Sequence, residues 1–124
     1  MVRGRGVRGS GIEARSAVIP VRGEIWLTAL DPTIGAEIQK TRPCVIISPS
    51  EMHDFLRTVI VAPMTTGSRP APYRIPLRFR GKEGLILLDQ LRMLDKHRLV
   101  RRLGVVSRTT LRATLAALRE MFEE

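Results

Sequence analysis

Short β-branched runs cut off by proline constrain this chain more than any other feature. Cys44-Val45-Ile46-Ile47 follows Pro43, and Val59-Ile60-Val61-Ala62 ends at Pro63. Runs of this length and composition form strands rather than helices. Glu24-Ile25-Trp26-Leu27-Thr28-Ala29-Leu30 is another strand, stopped by Asp31-Pro32-Thr33. Residues 73–80 alternate apolar and polar, which sends one face to a core and leaves three arginines on the other, while Pro76 puts the strand at a sheet edge. Residues 84–94 read as one more apolar, central strand, with Asp89 and Gln90 breaking its run. A helical turn at residues 95–99 and a short strand at 100–105 follow. Ser107 then opens a helix whose stripe is Leu111, Leu115, Leu118 and Phe122, with Met121 beside it. These elements predict a mainly β fold, a small, strongly curved barrel of antiparallel strands with one C-terminal helix.

The chain has 124 residues, enough for one domain with a modest core, and at 44% hydrophobic but 4% aromatic that core must be Val, Ile and Leu. The domain is expected over residues 21–124. Residues 1–20, with glycines at 4, 6, 9 and 11 among arginines, read as a flexible basic tail. The tail either adds nonspecific attraction for RNA or is an upstream extension from a misplaced start codon. No run approaches the ~18 apolar residues of a membrane span, so a soluble protein without a membrane partner is expected. The single cysteine, Cys44, permits no internal disulfide and no cysteine metal cage, which fits a reducing cytoplasm. Lys and Arg number 21 against 12 Asp and Glu, a net +9 dominated by arginine. Guanidinium groups match phosphate in a planar, bidentate way, so nucleic acid is the indicated partner; a merely solvated basic face is the competing reading.

Two strand ends carry the candidate chemistry. Lys40-Thr41-Arg42-Pro43 runs straight into the Cys44 strand, and the following proline biases Arg42 toward extended backbone. The Val59 strand ends in Met64-Thr65-Thr66. A cation at one strand mouth and hydroxyls at another suit a phosphate or other oxyanion.

Read together, Arg22-Gly23-Glu24-Ile25-Trp26, Asp31-Pro32-Thr33, Gly35-Ala36-Glu37, Lys40-Thr41-Arg42-Pro43, Val61-Ala62-Pro63-Met64-Thr65 and Leu88-Asp89-Gln90-Leu91-Arg92 resemble, in order and spacing, the MazF/PemK family of toxin endoribonucleases. The resemblance covers about residues 21 to 122. It implies an SH3-like barrel, a cytoplasmic homodimer, and metal-independent cleavage of single-stranded RNA at short sequences, with no cofactor. It also implies neutralisation by an acidic antitoxin, and operator DNA binding only as the toxin–antitoxin complex. On the family pattern the essential arginine falls on Arg42, the essential threonine on Thr65, and the loop acid on Glu37. Ala36 and Ile38 depart from the family's Gly-Ser-Glu-Gln loop, and Leu87 stands where the PemK branch has an arginine, which makes Asp89 structural rather than catalytic.

The chemistry so implied is attack of a 2′-hydroxyl on the neighbouring phosphorus, giving a 2′,3′-cyclic phosphate and a 5′-hydroxyl. Arg42 would stabilise charge on the phosphoryl oxygens and Thr65 would position them. Arg42, Glu37, the nucleobases or water are the candidates for proton transfer. RNA is expected between the loop of residues 33–41 and that of residues 65–69, with Lys40, Thr66 and Arg69 as binding residues. The opposing structural reading pairs Arg42 with Glu37 or Glu24. His53 and His97 read as solvated, and Cys44 as a small buried hydrophobe. A noncatalytic module on the same barrel, such as a gyrase-poisoning toxin of the CcdB type or an RNA-binding regulator, is the alternative function.

Overall fold

The computed structural model describes residues 19–30 and 40–124. The basic tail up to residue 18 and the loop of residues 31–39, with Glu37, lie outside the described residues.

The elements run β1 (Glu24–Ala29), β2 (Thr41–Ile46), α1 (Ser50–Phe55), β3 (Thr58–Thr65), β4 (Arg74–Phe79), β5 (Lys82–Leu87), a 3-10 turn (Leu88–Gln90), β6 (Arg92–Asp95), a second 3-10 turn (Lys96–Arg98), β7 (Leu99–Val105) and α2 (Arg108–Met121). The sheet order is β4-β5-β3-β2-β1-β7, with β6 also on β3. Every pairing is antiparallel. β3 is the pivot. Along one edge its first half pairs with β6 (Thr58 with Asp95, Val61 with Arg92) and its last two residues pair with β5. Its other edge pairs with β2, Cys44 opposite Pro63. A strand that serves two partners in succession must bend, and this bend curls the sheet into a half-barrel with a C-terminal helix, the expected architecture. The hairpin that ends β4 reaches β7, where the Arg80 guanidinium donates to the Leu103 carbonyl at 3.1 Å.

Both faces of the central strands are covered, which explains their unbroken apolar runs. Ile25, Val45, Ala62, Met64, Ile86 and Leu88 form one cluster, against which α2 packs Leu111, Leu115, Leu118 and Met121. Trp26, Cys44, Ile46, Val59, Val61 and Leu94 form the other. The Ser107 hydroxyl caps α2 by accepting from the Thr110 N–H at 3.1 Å. Contrary to the stripe read from the sequence, Phe122 is 75% exposed and Thr114 is buried in its place. Phe122 lies just past the last helical residue, so its side chain leaves the stripe. Thr114 tolerates burial because its hydroxyl donates to the Thr110 carbonyl at 2.8 Å.

Two further differences from the sequence reading are local. The single strand expected over residues 84–94 is two strands separated by the Leu88–Gln90 turn. Residues 50–55 form α1, an element the sequence reading did not include, and His53 on it is 1% exposed rather than solvated. Its Nδ1 lies 2.6 Å from the Pro20 carbonyl and its Nε2 lies 2.6 Å from Ser48 Oγ. A carbonyl can only accept, so Nδ1 carries the proton; in the neutral ring Nε2 then receives the Ser48 hydroxyl hydrogen. His97 is exposed, as expected, and bonds Asp95 at 2.8 Å.

Candidate active site

Arg42 and Thr65 stand at neighbouring ends of paired strands. In the β2–β3 ladder Ile46 faces Val61 and Cys44 faces Pro63; continued two residues further, that register aligns Arg42 with Thr65. Side chains aligned across an antiparallel pair project from the same face. The approach of β5 on the other edge of Thr65 is unusually close. A Cβ on Gly84 would sit 2.7 Å from the Thr65 carbonyl oxygen, so only glycine lets β5 hold this strand end where it is.

Between these ends lies an open cleft of ≈ 600 Å³. Pro43, Met64, Leu77, Phe79 and Leu103 give it apolar walls, and Thr41, Arg42, Thr65, Thr66, Arg80 and Lys82 supply its polar groups. Among the described residues, no carboxylate lines it. Nearby acids are engaged elsewhere: Glu24 accepts from Arg102 at 2.8 Å and from the Trp26 indole at 3.0 Å, and Glu83 pairs with Arg78 at 3.3 Å. Asp89 is held by two bonds from Arg74, at 3.2 and 3.0 Å, and this partner pulls its carboxyl below the usual range. Arg42 therefore has no carboxylate partner among the described residues, and the pairing with Glu24 does not form. The Thr65 hydroxyl accepts only a long bond from the Gly67 N–H, 3.3 Å, and its own hydrogen has no acceptor among the described residues.

The cysteine beneath Arg42 is inert. Burial pushes the Cys44 thiol up from its ordinary 9.0 to about 11, although the Thr28 hydrogen bond and the charges of Arg42 and Arg92 oppose that shift. A thiol protonated at neutral pH is no nucleophile.

Of the residues singled out in the sequence, Arg42, Thr65 and Thr66 come together in the cleft. Lys40 and Arg69 are exposed but do not line it; Arg69 lies in the following loop, where its carbonyl accepts from Arg74 at 3.2 Å. Thr41, Arg80 and Lys82 were missed. The available signal was the Arg80-Gly81 pair between two strands, which marks a hairpin turn. Among the described residues, no group of three or more His, Cys, Asp or Glu side chains is arranged to hold a metal ion.

The curled antiparallel half-barrel with its C-terminal helix superposes on MazF from Deinococcus radiodurans with a TM-score of 0.69 at 23% identity over 83% of this chain and 96% of that one. An endoribonuclease from a mycobacterial species, solved in complex with its cognate antitoxin, superposes with a TM-score of 0.67 at 24% identity over 82% of this chain and 92% of that one. The sequence carries the kinship further. Residues 21–122 match the family described as PemK-like, MazF-like toxin of type II toxin-antitoxin system. Endoribonuclease PemK from Escherichia coli is 39% identical over 103 residues, covering 78% of this chain and 77% of the relative. The chain belongs to the PemK/MazF family of toxin endoribonucleases.

Proposed function

We propose that this chain is the toxin of a toxin–antitoxin pair and cleaves single-stranded RNA without a metal, in the cleft between Arg42 and Thr65. The observation that carries the reading is the meeting, in one cleft, of a guanidinium with no carboxylate partner among the described residues and a hydroxyl whose hydrogen has no acceptor among them.

The 2′-oxygen of the substrate attacks the adjacent phosphorus, its proton leaves, the bond from phosphorus to the 5′-oxygen breaks, and that oxygen takes up a proton. Products are a 2′,3′-cyclic phosphate and a 5′-hydroxyl end. Negative charge builds on the non-bridging oxygens as the fifth bond forms. Arg42 meets it with charge-assisted hydrogen bonds beside apolar walls, where such bonds gain strength, and Thr65 adds a neutral donor that fixes the phosphate. Thr66 lines the same path. Lys40 and Arg69 engage the strand beyond the cleft, and Glu37 supports the site or moves a proton. Neither Arg42 nor Thr65 is a comfortable base, so the proton acceptor is Glu37, a nucleobase or water.

The excess of basic groups suits an acidic antitoxin as inhibitor, in keeping with the mycobacterial relative solved with its antitoxin. We place the toxin in the cytoplasm as a homodimer, with operator DNA bound only by the toxin–antitoxin complex.

The test is incubation of purified protein with a long RNA in EDTA. Cutting that leaves cyclic phosphate ends and vanishes in Arg42→Ala and Thr65→Ala, with folding retained, supports the assignment. Intact RNA across varied sequences returns the chain to the noncatalytic class.

A further inference from the structure

Arg80 occupies a position that stability alone does not favour. It is the first residue of the two-residue turn between β4 and β5, with Phe79 paired to Lys82, and its φ is +54° while that of Gly81 is +79°. Two successive positive φ angles define a turn that selects Asn or Asp followed by Gly; a long side chain in the left-handed region is uncommon and costly. The strain is offset locally. The Arg80 guanidinium lies 5.1 Å from the centroid of the Phe79 ring and donates one bond to the Leu103 carbonyl. These contacts aim the group into the cleft that Arg42 and Thr65 share. They use one of its five N–H donors, and among the described residues it has no carboxylate partner. The other two arginines of the β4 segment differ, for Arg74 pairs with Asp89 and Arg78 with Glu83. Lys82, across the turn, adds a second cation to the same wall.

The geometry points to a second phosphate site in this cleft: Arg80, steadied on Phe79 and assisted by Lys82, binds the phosphodiester next to the one cleaved. This rests on the nuclease reading above. A cleft of ≈ 600 Å³ exceeds what a lone phosphate needs and falls in the range that holds a nucleoside-sized ligand, so its apolar walls take the intervening nucleoside. Two anchored phosphates would fix the strand's direction and hold the scissile linkage in register. An acidic peptide would also meet these cations, but the threonine hydroxyls interleaved with them suit phosphate and ribose oxygens better than carboxylates.

The test uses a short single-stranded RNA with one cleavage site, and copies in which one flanking phosphate at a time is a neutral methylphosphonate. Arg80→Asn suits the turn's backbone and should keep the melting temperature; Arg80→Lys keeps the charge and loses the fork. Arg80→Asn should raise KM about tenfold or more, the scale of a lost charge-assisted contact, and change kcat less than about threefold. One neutral flanking linkage should weaken wild-type binding by a similar factor and leave Arg80→Asn unaffected. Equal sensitivity of both proteins to every neutral linkage overturns the site, as does an Arg80→Asn protein with unchanged KM. A loss confined to antitoxin binding also overturns it and assigns Arg80 to the peptide. Failure of the wild type to cut any RNA sinks the nuclease reading itself, a different result from cutting that ignores Arg80.

Discussion

Near the start of β3, the buried polar side chains of Ser48 and His53 are fully bonded; where the strand ends, Arg42 and Thr65 hold donors in reserve. Near the first end, Ser48 Oγ meets His53 and also accepts the Ile60 N–H at 2.9 Å, His53 engages both ring nitrogens, and the His53 carbonyl accepts from Lys96 at 2.6 Å. Near the other, Arg42 has no carboxylate partner among the described residues, and Thr65 receives one long bond. Both ends belong to one strand in one sheet. Complete satisfaction is what stability demands of buried polar groups, so unused capacity in an open cleft marks the end kept for a ligand.

The sharpest break of this contrast is Arg42→Ala. On the proposed mechanism it lowers single-turnover RNA cleavage about a hundredfold or more, while the unfolding free energy stays within about 0.5 kcal/mol of wild type in urea titrations. His53→Ala should do the reverse, costing about 3 kcal/mol because Ser48 and the Pro20 carbonyl lose a buried partner. Cleavage by the fraction still folded should persist.

The Cys44 thiol gives a pH-dependent version of the same test. The unfolded chain loses this proton above pH about 9 and the folded protein holds it until about 11. The contribution is therefore intact below about 9 and is lost as pH rises through that window, by about 2–3 kcal/mol at the top. Chemical denaturation at pH 8 and pH 10.5 should show this loss in wild type and less of it in Cys44→Ala. The smallest effect is expected at Gly84→Ala, whose methyl must push the Thr65 carbonyl away. A drop in kcat of about tenfold with a near-native melting temperature would sharpen the view that the open end is finely placed; an unchanged kcat would blunt it.

Most of the barrel was legible in the sequence, because strands such as Cys44–Ile47 and Val59–Ala62 announce themselves by composition and by the prolines beside them. The Ser107 cap marked α2 equally well. What escaped notice depends on partners far along the chain or on elements too short to show a period. α1 has six residues, under two turns, and the burial of His53 depends on a carbonyl 33 positions away. Arg42 and Thr65 were found as strand ends beside proline and threonine signals, and their alignment awaited the β2–β3 register. Arg80 and Lys82 join them only because the curl of the sheet carries a hairpin tip over the cleft. Lys40 and Arg69, chosen for charge and nearness in sequence, lie outside the lining.

One consequence of β3's double duty concerns damaged molecules. The strand that closes the hydrophobic interior also carries Thr65 at its tip, next to the ladder that positions Arg42. Heat, truncation or a poor substitution that loosens the interior would scatter the proposed reactive pair at the same moment, so on that reading a copy that loses its shape loses its activity with it.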